Sequence, residues 1–377
     1  MGGTSRTPAW ARGLALGVLA VSAAACSSIQ LGGPLGTPSA EAPSLPLDLL
    51  WERDAGAAFG PSAARVTDRY VVVGTRKGEV VVLDRESGRV TGSREFGRSV
   101  EGQLATTAAG ETLFVPTADR DGTVVAFDVQ SGRRRWRWLG GAVQGGVTYV
   151  GGADGGMVGV ATLDGRVVGL DPATGAERWT RPSTAPGQIH AAPVPVGGDV
   201  VVADDRGAVV RLSSATGAET WRADVGGPVY AAPAVDGGAV YVSTTRGGLA
   251  RLDAATGETV WAVQDDSPLR VSTAAASAAG LAVGLSDGTV RGLDPATGAE
   301  RWRTRYDGSV TAAPVWIGDR LAVGTLDGRL AVIDGRTGRE EWSTELRGRV
   351  KSALAVGGGL LVALVEPRHV VAFHTAP

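Results

Sequence analysis

The ten-residue string LDPATGAERW at residues 293–302 constrains the fold of this chain more than any other feature, because the chain repeats it. Close copies occupy residues 170–179, 212–221, 252–261 and 333–342, and a looser one occupies residues 127–136. A degenerate copy at 83–92 keeps Asp84 and Gly88 but lacks the tryptophan. The repeated glycines Gly88, Gly132, Gly175, Gly217, Gly257, Gly298 and Gly338 recur every 40–44 residues. A period of that size means one supersecondary unit used many times.

One unit can be read at residues 310–344. An apolar run at 310–317 ends at Gly318-Asp319, a turn signal. A second run at 320–325 is closed by Asp327-Gly328, a strong hairpin signal. A third covers 329–334, and Thr337-Gly338 turns the chain into a fourth at 340–344. Asp334 and Thr337 can bond nearby backbone, and Gly338 can adopt positive φ, so the D-x-x-T-G spacing predicts a turn. The tryptophan four residues after the glycine falls on the fourth strand. Docked on the neighbouring unit it would bury roughly 150–250 Å², about 4–6 kcal/mol of gross transfer energy. A four-stranded sheet at this period is a propeller blade. The structural tryptophans are Trp51, Trp136, Trp179, Trp221, Trp261, Trp302 and Trp342.

Residues 47–377 divide into eight such units. The last, 348–377, supplies three strands (350–356, 360–364 and 370–374) and ends before any T-G-x-x-x-W. Its fourth strand is at the other end of the domain, where Trp51 stands in a Leu-Trp-Glu-Arg-Asp setting within 47–54. An N-terminal strand completing the last blade closes the ring and removes open edges. The expected fold is therefore all-β, an eight-bladed β-propeller of four-stranded antiparallel blades in one domain, monomeric.

Upstream, Arg6 and Arg12 precede a small and apolar run at 13–25 that is too short to span a bilayer. It ends at Cys26, the one cysteine of the chain. The segment resembles the lipobox of bacterial lipoproteins, in which the cysteine is acylated and becomes the mature N-terminus. It departs in having Ala23 where that family has a larger aliphatic. An ordinary secretory signal cleaved near Ala25 is the alternative. Residues 27–46, rich in Gly, Pro, Ser and Ala, read as a flexible tether. With a single cysteine, export rests on the signal and not on a disulfide pattern.

Composition excludes one class of partner. Net charge is −2, only Lys77 and Lys351 are lysines, and no basic footprint for nucleic acid is visible.

The D-x-x-T-G-x-x-x-W core with a D-G hairpin upstream resembles the pyrroloquinoline-quinone (PQQ) type propeller repeat over essentially all of 47–377. The departures are Ser213 for the Asp in blade 4, no Trp in blade 1, and extra residues around 118–120 in blade 2. Two branches share the repeat: eight-bladed quinoprotein dehydrogenases, and non-enzymatic lipoproteins typified by the outer-membrane assembly factor BamB. Lipid signal, tether, length and blade count resemble the second. The first implies PQQ with Ca²⁺, a catalytic Asp and a disulfide of adjacent cysteines. None of these can be placed here, so neither cofactor nor catalytic residue is expected.

Other motifs reduce to the repeat. Gly284–Gly288 reads G-x-S-x-G, but that elbow needs a strand followed by a helix, and here it aligns with the ordinary hairpin. Thr117, Asp119 and Asp121 faintly imitate a Ca²⁺ loop, without its acidic first position or terminal Glu. His190, His369 and His374 fall on different strands, and no metal site is expected.

One series is unexplained by packing. The first strand of each blade starts with an aliphatic residue, then a variable one, then often Ala-Ala-Pro. The variable residues are Thr148, His190, Tyr230, Arg270, Thr311 and Lys351, with Glu101 aligned less securely; the register is fixed in blades 4, 5, 7 and 8. In a propeller the first strand is innermost, so these stand at one mouth of the channel. They are either solvated strand ends or a mixed polar and aromatic ring that contacts a ligand or peptide. The reading that follows is an exported, lipid-anchored, non-catalytic platform for envelope proteins. A PQQ-dependent or other small-molecule dehydrogenase and an extracytoplasmic ligand sensor are the alternatives.

Overall fold

The structure, a computed structural model, describes residues 29–118, 122–152, 154–182, 187–264 and 272–376. Cys26 and the expected leader segment lie outside them, as do Asp119 and Asp121. Eight antiparallel sheets form the ring of an eight-bladed β-propeller, without a helix among the described residues. Blade 7 runs Val315–Ile317, Arg320–Gly324, Arg329–Asp334 and Glu340–Glu345 from the inside outward. Its innermost strand is three residues long, shorter than the run at 310–317, because residues 310–314 form the approach from the preceding blade. Blade 8 is completed by Leu47–Asp54, which pairs with His369–Thr375 in the register Leu47↔Thr375 to Asp54↔His369. His369 and His374, expected on different strands, both lie on His369–Thr375. Its innermost strand is split into Arg349–Val350 and Ala355–Gly357.

The repeated string builds a turn and a seam together. In blade 3, Asp171 Oδ1 accepts the N–H groups of Ala173 and Thr174 and the Thr174 hydroxyl, at 3.0, 2.9 and 2.9 Å. Gly175 closes the turn at φ +75°. A bulge between Gly169 and Leu170 then shifts the outer strand, and the same shift recurs in blades 1 to 7, re-aiming the following side chains. Each repeat tryptophan except Trp342 thereby lies on the turn glycine of the next blade. A Cβ on Gly217 would meet Trp179, one on Gly257 would meet Trp221, and one on Gly338 would meet Trp302, all within 3 Å. The indole N–H donates to the carbonyl one residue after the turn's first position: Trp136 to Pro172, Trp179 to Ser214, Trp221 to Ala254, Trp261 to Pro295, Trp302 to Gly335 and Trp51 to Arg85, all at 2.8–3.0 Å. Trp342 instead meets Phe373 edge-on at 5.5 Å.

Blade 1 has no tryptophan to lay on blade 2, and here the structure differs from the expected tether. Residues 29–46 are packed against the ring. Ile29, Leu31 and Leu35 are buried in one cluster with Tyr70, Val82, Leu113 and Phe127, between blades 1 and 2. The Ile29 carbonyl and Gln30 cover Gly132, and Leu31 N–H donates to Val129 O at 2.8 Å. These are the two roles of the missing indole. The chain continues across blade 1, where Thr67 Oγ1 donates to Leu35 O at 2.6 Å, to blade 8, where Gly359 N–H donates to Glu41 O at 2.9 Å. The Gly/Pro/Ser content concealed three aliphatic side chains whose burial contributes roughly 5–9 kcal/mol gross.

Strand direction gives the ring two faces. One, the turn face, carries the Asp-Gly turns between third and fourth strands together with the strap 29–46. The other, the crossover face, carries the hairpins between second and third strands and the crossovers from blade to blade.

Candidate functional site

The crossovers are pinned on both sides. In blades 4, 5 and 7 one backbone N–H of the hairpin donates to that blade's own crossover: Asp205 to Gln188, Thr245 to Pro228 and Leu326 to Ser309. The aliphatic residue of the next crossover donates back to the hairpin: Val100 to Thr75, Val229 to Asp204, Val310 to Leu285 and Val350 to Thr325. Val100, Ile189, Val229, Val310 and Val350 are thereby buried, and the residue after each is fixed at the channel mouth. This positions Glu101, His190, Tyr230, Thr311 and Lys351 on the crossover face.

Blade 3 requires a correction. Its pinned segment is Ala142-Val143, with Leu163 N–H donating to Ala142 O at 2.9 Å and Val143 buried. The mouth residue is therefore Gln144. Thr148 sits inside the first strand, Val147–Val150, and is buried. The string VQGG offers no Ala-Ala-Pro to mark the crossover, and Val147-Thr148 four residues later imitates the pair. Arg270 lies outside the described residues.

Three of the mouth residues meet. His190 and Tyr230 stack with ring centroids 4.4 Å apart and planes at 31°. His190 Nδ1 lies 2.8 Å from Gln144 Oε1. His190 Nε2 is buried without a hydrogen-bond partner, 3.9 Å from Asp205 Oδ2, while Asp205 Oδ1 accepts the Gln188 N–H at 2.8 Å. Tyr230 is 49% exposed, one of few large hydrophobic side chains so open among the described residues. The cluster thus spans blades 3, 4 and 5, with an aromatic surface outward and polar groups at its base. Glu101 is drawn away into an ion pair with Arg76 at 3.3 Å and a bond from Ser99. Thr311 and Lys351 are exposed, on blades 7 and 8.

Sequence reasoning missed Gln144 and Asp205. Asp205 belongs to the hairpin and carries no signal of its own, while the Val-Gln pair was hidden by the glycines after it. Between blades 3 and 4, Val167, Ile189, Val202 and Val210 line a cavity of about 100 Å³. That is well below the roughly 300–1,000 Å³ of sites that enclose small ligands. Among the described residues no three His, Cys, Asp or Glu side chains converge as metal ligands. Chemically, the cluster offers aromatic area and hydrogen-bonding groups, which suits recognition of another surface.

A family model described as outer membrane protein assembly factor BamB matches residues 48–190, 163–313 and 286–376. No curated protein matches the chain. Among solved structures, BamB from Moraxella catarrhalis superposes with a TM-score of 0.74 at 21% identity, covering 87% of this chain and 100% of that one. The quinohemoprotein alcohol dehydrogenase from Comamonas testosteroni gives 0.68 at 12% identity, over 88% of this chain and 77% of that one. Sqt1 from Saccharomyces cerevisiae gives 0.71 at 13% identity, over 91% and 100%. At these identities the likeness is one of fold.

Proposed function

The chain belongs to the family described as outer membrane protein assembly factor BamB, and on that footing we propose that its propeller is a non-catalytic protein-binding platform, exported and held at the cell envelope by lipid on Cys26. The stacked His190–Tyr230 pair on the crossover face carries the proposal. Exposed aromatic side chains set in a fixed frame are the residues on which protein interfaces concentrate their energy. The pair is held from below by Gln144 and the crossover bonds, so little ordering is lost on binding. The partner is an envelope protein, in keeping with a family described by its part in outer membrane protein assembly.

In-cell crosslinking of the full chain, followed by mass spectrometry, tests this. Wild type is expected to capture an envelope protein that the His190→Ala/Tyr230→Ala variant loses, at unchanged expression and melting temperature. Capture that survives the substitution removes the site. Alcohol or sugar dehydrogenase turnover with added PQQ and Ca²⁺ would remove the non-catalytic reading.

A further inference from the structure

Blade 2 has an outer strand unlike the others. Arg133–Leu139 holds Arg133, Arg134, Arg135 and Arg137 and no carboxylate. The corresponding strands of blades 1, 3, 4, 6, 7 and 8 each carry at least one carboxylate, and that of blade 5 carries no charge. Arg135 is tied to Asp128 at 2.5 Å. Arg133, Arg134 and Arg137 are exposed and have no carboxylate partner among the described residues. The chain's N-terminal segment reaches the ring at the same corner. Ile29 is fully buried, and its carbonyl and Gln30 lie against Gly132, the residue before Arg133.

We propose that this corner, where the blade 2 outer strand meets the turn face, is a docking surface for an anionic lipid bilayer. The inference rests on the lipid anchor at Cys26 proposed above. Cys26 stands three positions before Ile29, and three residues reach at most about 10 Å. An acyl chain on Cys26 therefore holds headgroups within reach of Arg133 and Arg134, because the strap leaves no slack. Basic side chains at that distance are drawn to anionic headgroups and released by salt. With the turn face held down, the crossover face and its His190–Tyr230 pair point away from the membrane, free for a partner.

The chain beginning at Ser27 contains every described residue and carries no lipid. It is to be sedimented with vesicles of phosphatidylglycerol and phosphatidylethanolamine, and with vesicles of phosphatidylcholine alone. Binding is expected to the anionic vesicles only, to fall as salt rises, and to weaken on the order of tenfold or more in Arg133→Gln/Arg134→Gln/Arg137→Gln. The substituted strand positions are exposed, so melting temperature should not move. Equal binding to both vesicles, or binding indifferent to the triple substitution, overturns the proposal and leaves the corner for a protein. The mass of the N-terminal peptide from cell membranes reads the anchor separately. An unacylated Cys26 beside arginine-dependent binding removes the anchor and keeps the patch. An acylated Cys26 beside arginine-independent binding does the reverse.

Discussion

Two seams of the ring solve one packing problem with different material. Between blades 4 and 5, Trp221 covers Gly257 and donates its indole N–H to Ala254 O at 2.9 Å. Between blades 1 and 2 there is no tryptophan, yet Gly132 is covered by Ile29 and Gln30, and Val129 O accepts the Leu31 N–H at 2.8 Å. The first seam is closed by a residue of the repeat, the second by chain from outside it. What a seam requires is therefore close cover over the glycine and one donor to the carbonyl, whatever supplies them. The difference matters for the chain as a whole, because the second solution ties the N-terminus to one blade and the first ties blade to blade.

Removing the strap should have the largest effect. A chain beginning at residue 36 loses Ile29, Leu31 and Leu35 together and leaves Val129 O without its donor. Chemical denaturation should show a loss exceeding that of any single tryptophan, set against roughly 5–9 kcal/mol of gross burial. Introducing Gly92→Trp at the empty repeat position of the truncated chain should restore part of it. No recovery would mean that the strap does more than replace an indole. Trp221→Ala comes next, at about 3–5 kcal/mol by the same denaturation. If strap removal costs less than Trp221→Ala, the two seams are not equivalent.

The ring was legible in the sequence because its parts are local. The Asp-Gly turn, the hairpin glycine and the tryptophan four residues on each encode geometry within one string, and the period counts the blades. The closing strand was legible too, since Trp51 stands in the setting of the repeat. The strap was not. Ile29, Leu31 and Leu35 are spaced by glycine and proline without strand or helix period, and their partners in blades 1 and 2 are more than 30 residues away in the chain. Gln144 was misread for a related reason: which residue reaches the channel mouth depends on the backbone bonds from Leu163 and Val143's burial, not on the local string. The His190–Tyr230 contact joins blades 4 and 5, and only closing the ring brings the two rings to 4.4 Å.

Blade 4 sharpens the comparison from the other side, because there a lost repeat residue was not replaced. Ser213 stands where Asp171 stands in blade 3. The backbone turn is kept, with Gly217 N–H donating to Ser213 O at 2.8 Å as Gly175 does to Asp171 O. No side chain among the described residues accepts the N–H groups of Ala215 and Thr216, which are exposed and left to water. In blade 3 the Arg178 guanidinium, with the Thr174 and Ala173 N–H groups, holds Asp171 down to about 2. A group so depressed stabilises the fold above the ordinary carboxylate value of 3.8, and that contribution is lost as pH falls through its folded value. Ser213→Asp should therefore add roughly 0.5–1.5 kcal/mol at pH 7, a rise in melting temperature of roughly 1–3 °C. The gain should shrink as pH is lowered below the ordinary carboxylate value. Thr220 stands where Arg178 stands in blade 3, so only the turn's N–H groups would hold the new carboxylate down, as those of Thr256 and Ala255 do for Asp253 in blade 5. A gain that persists at low pH would come from something other than the carboxylate, and no gain at all would mean that water serves this turn as well as Asp171 serves its own.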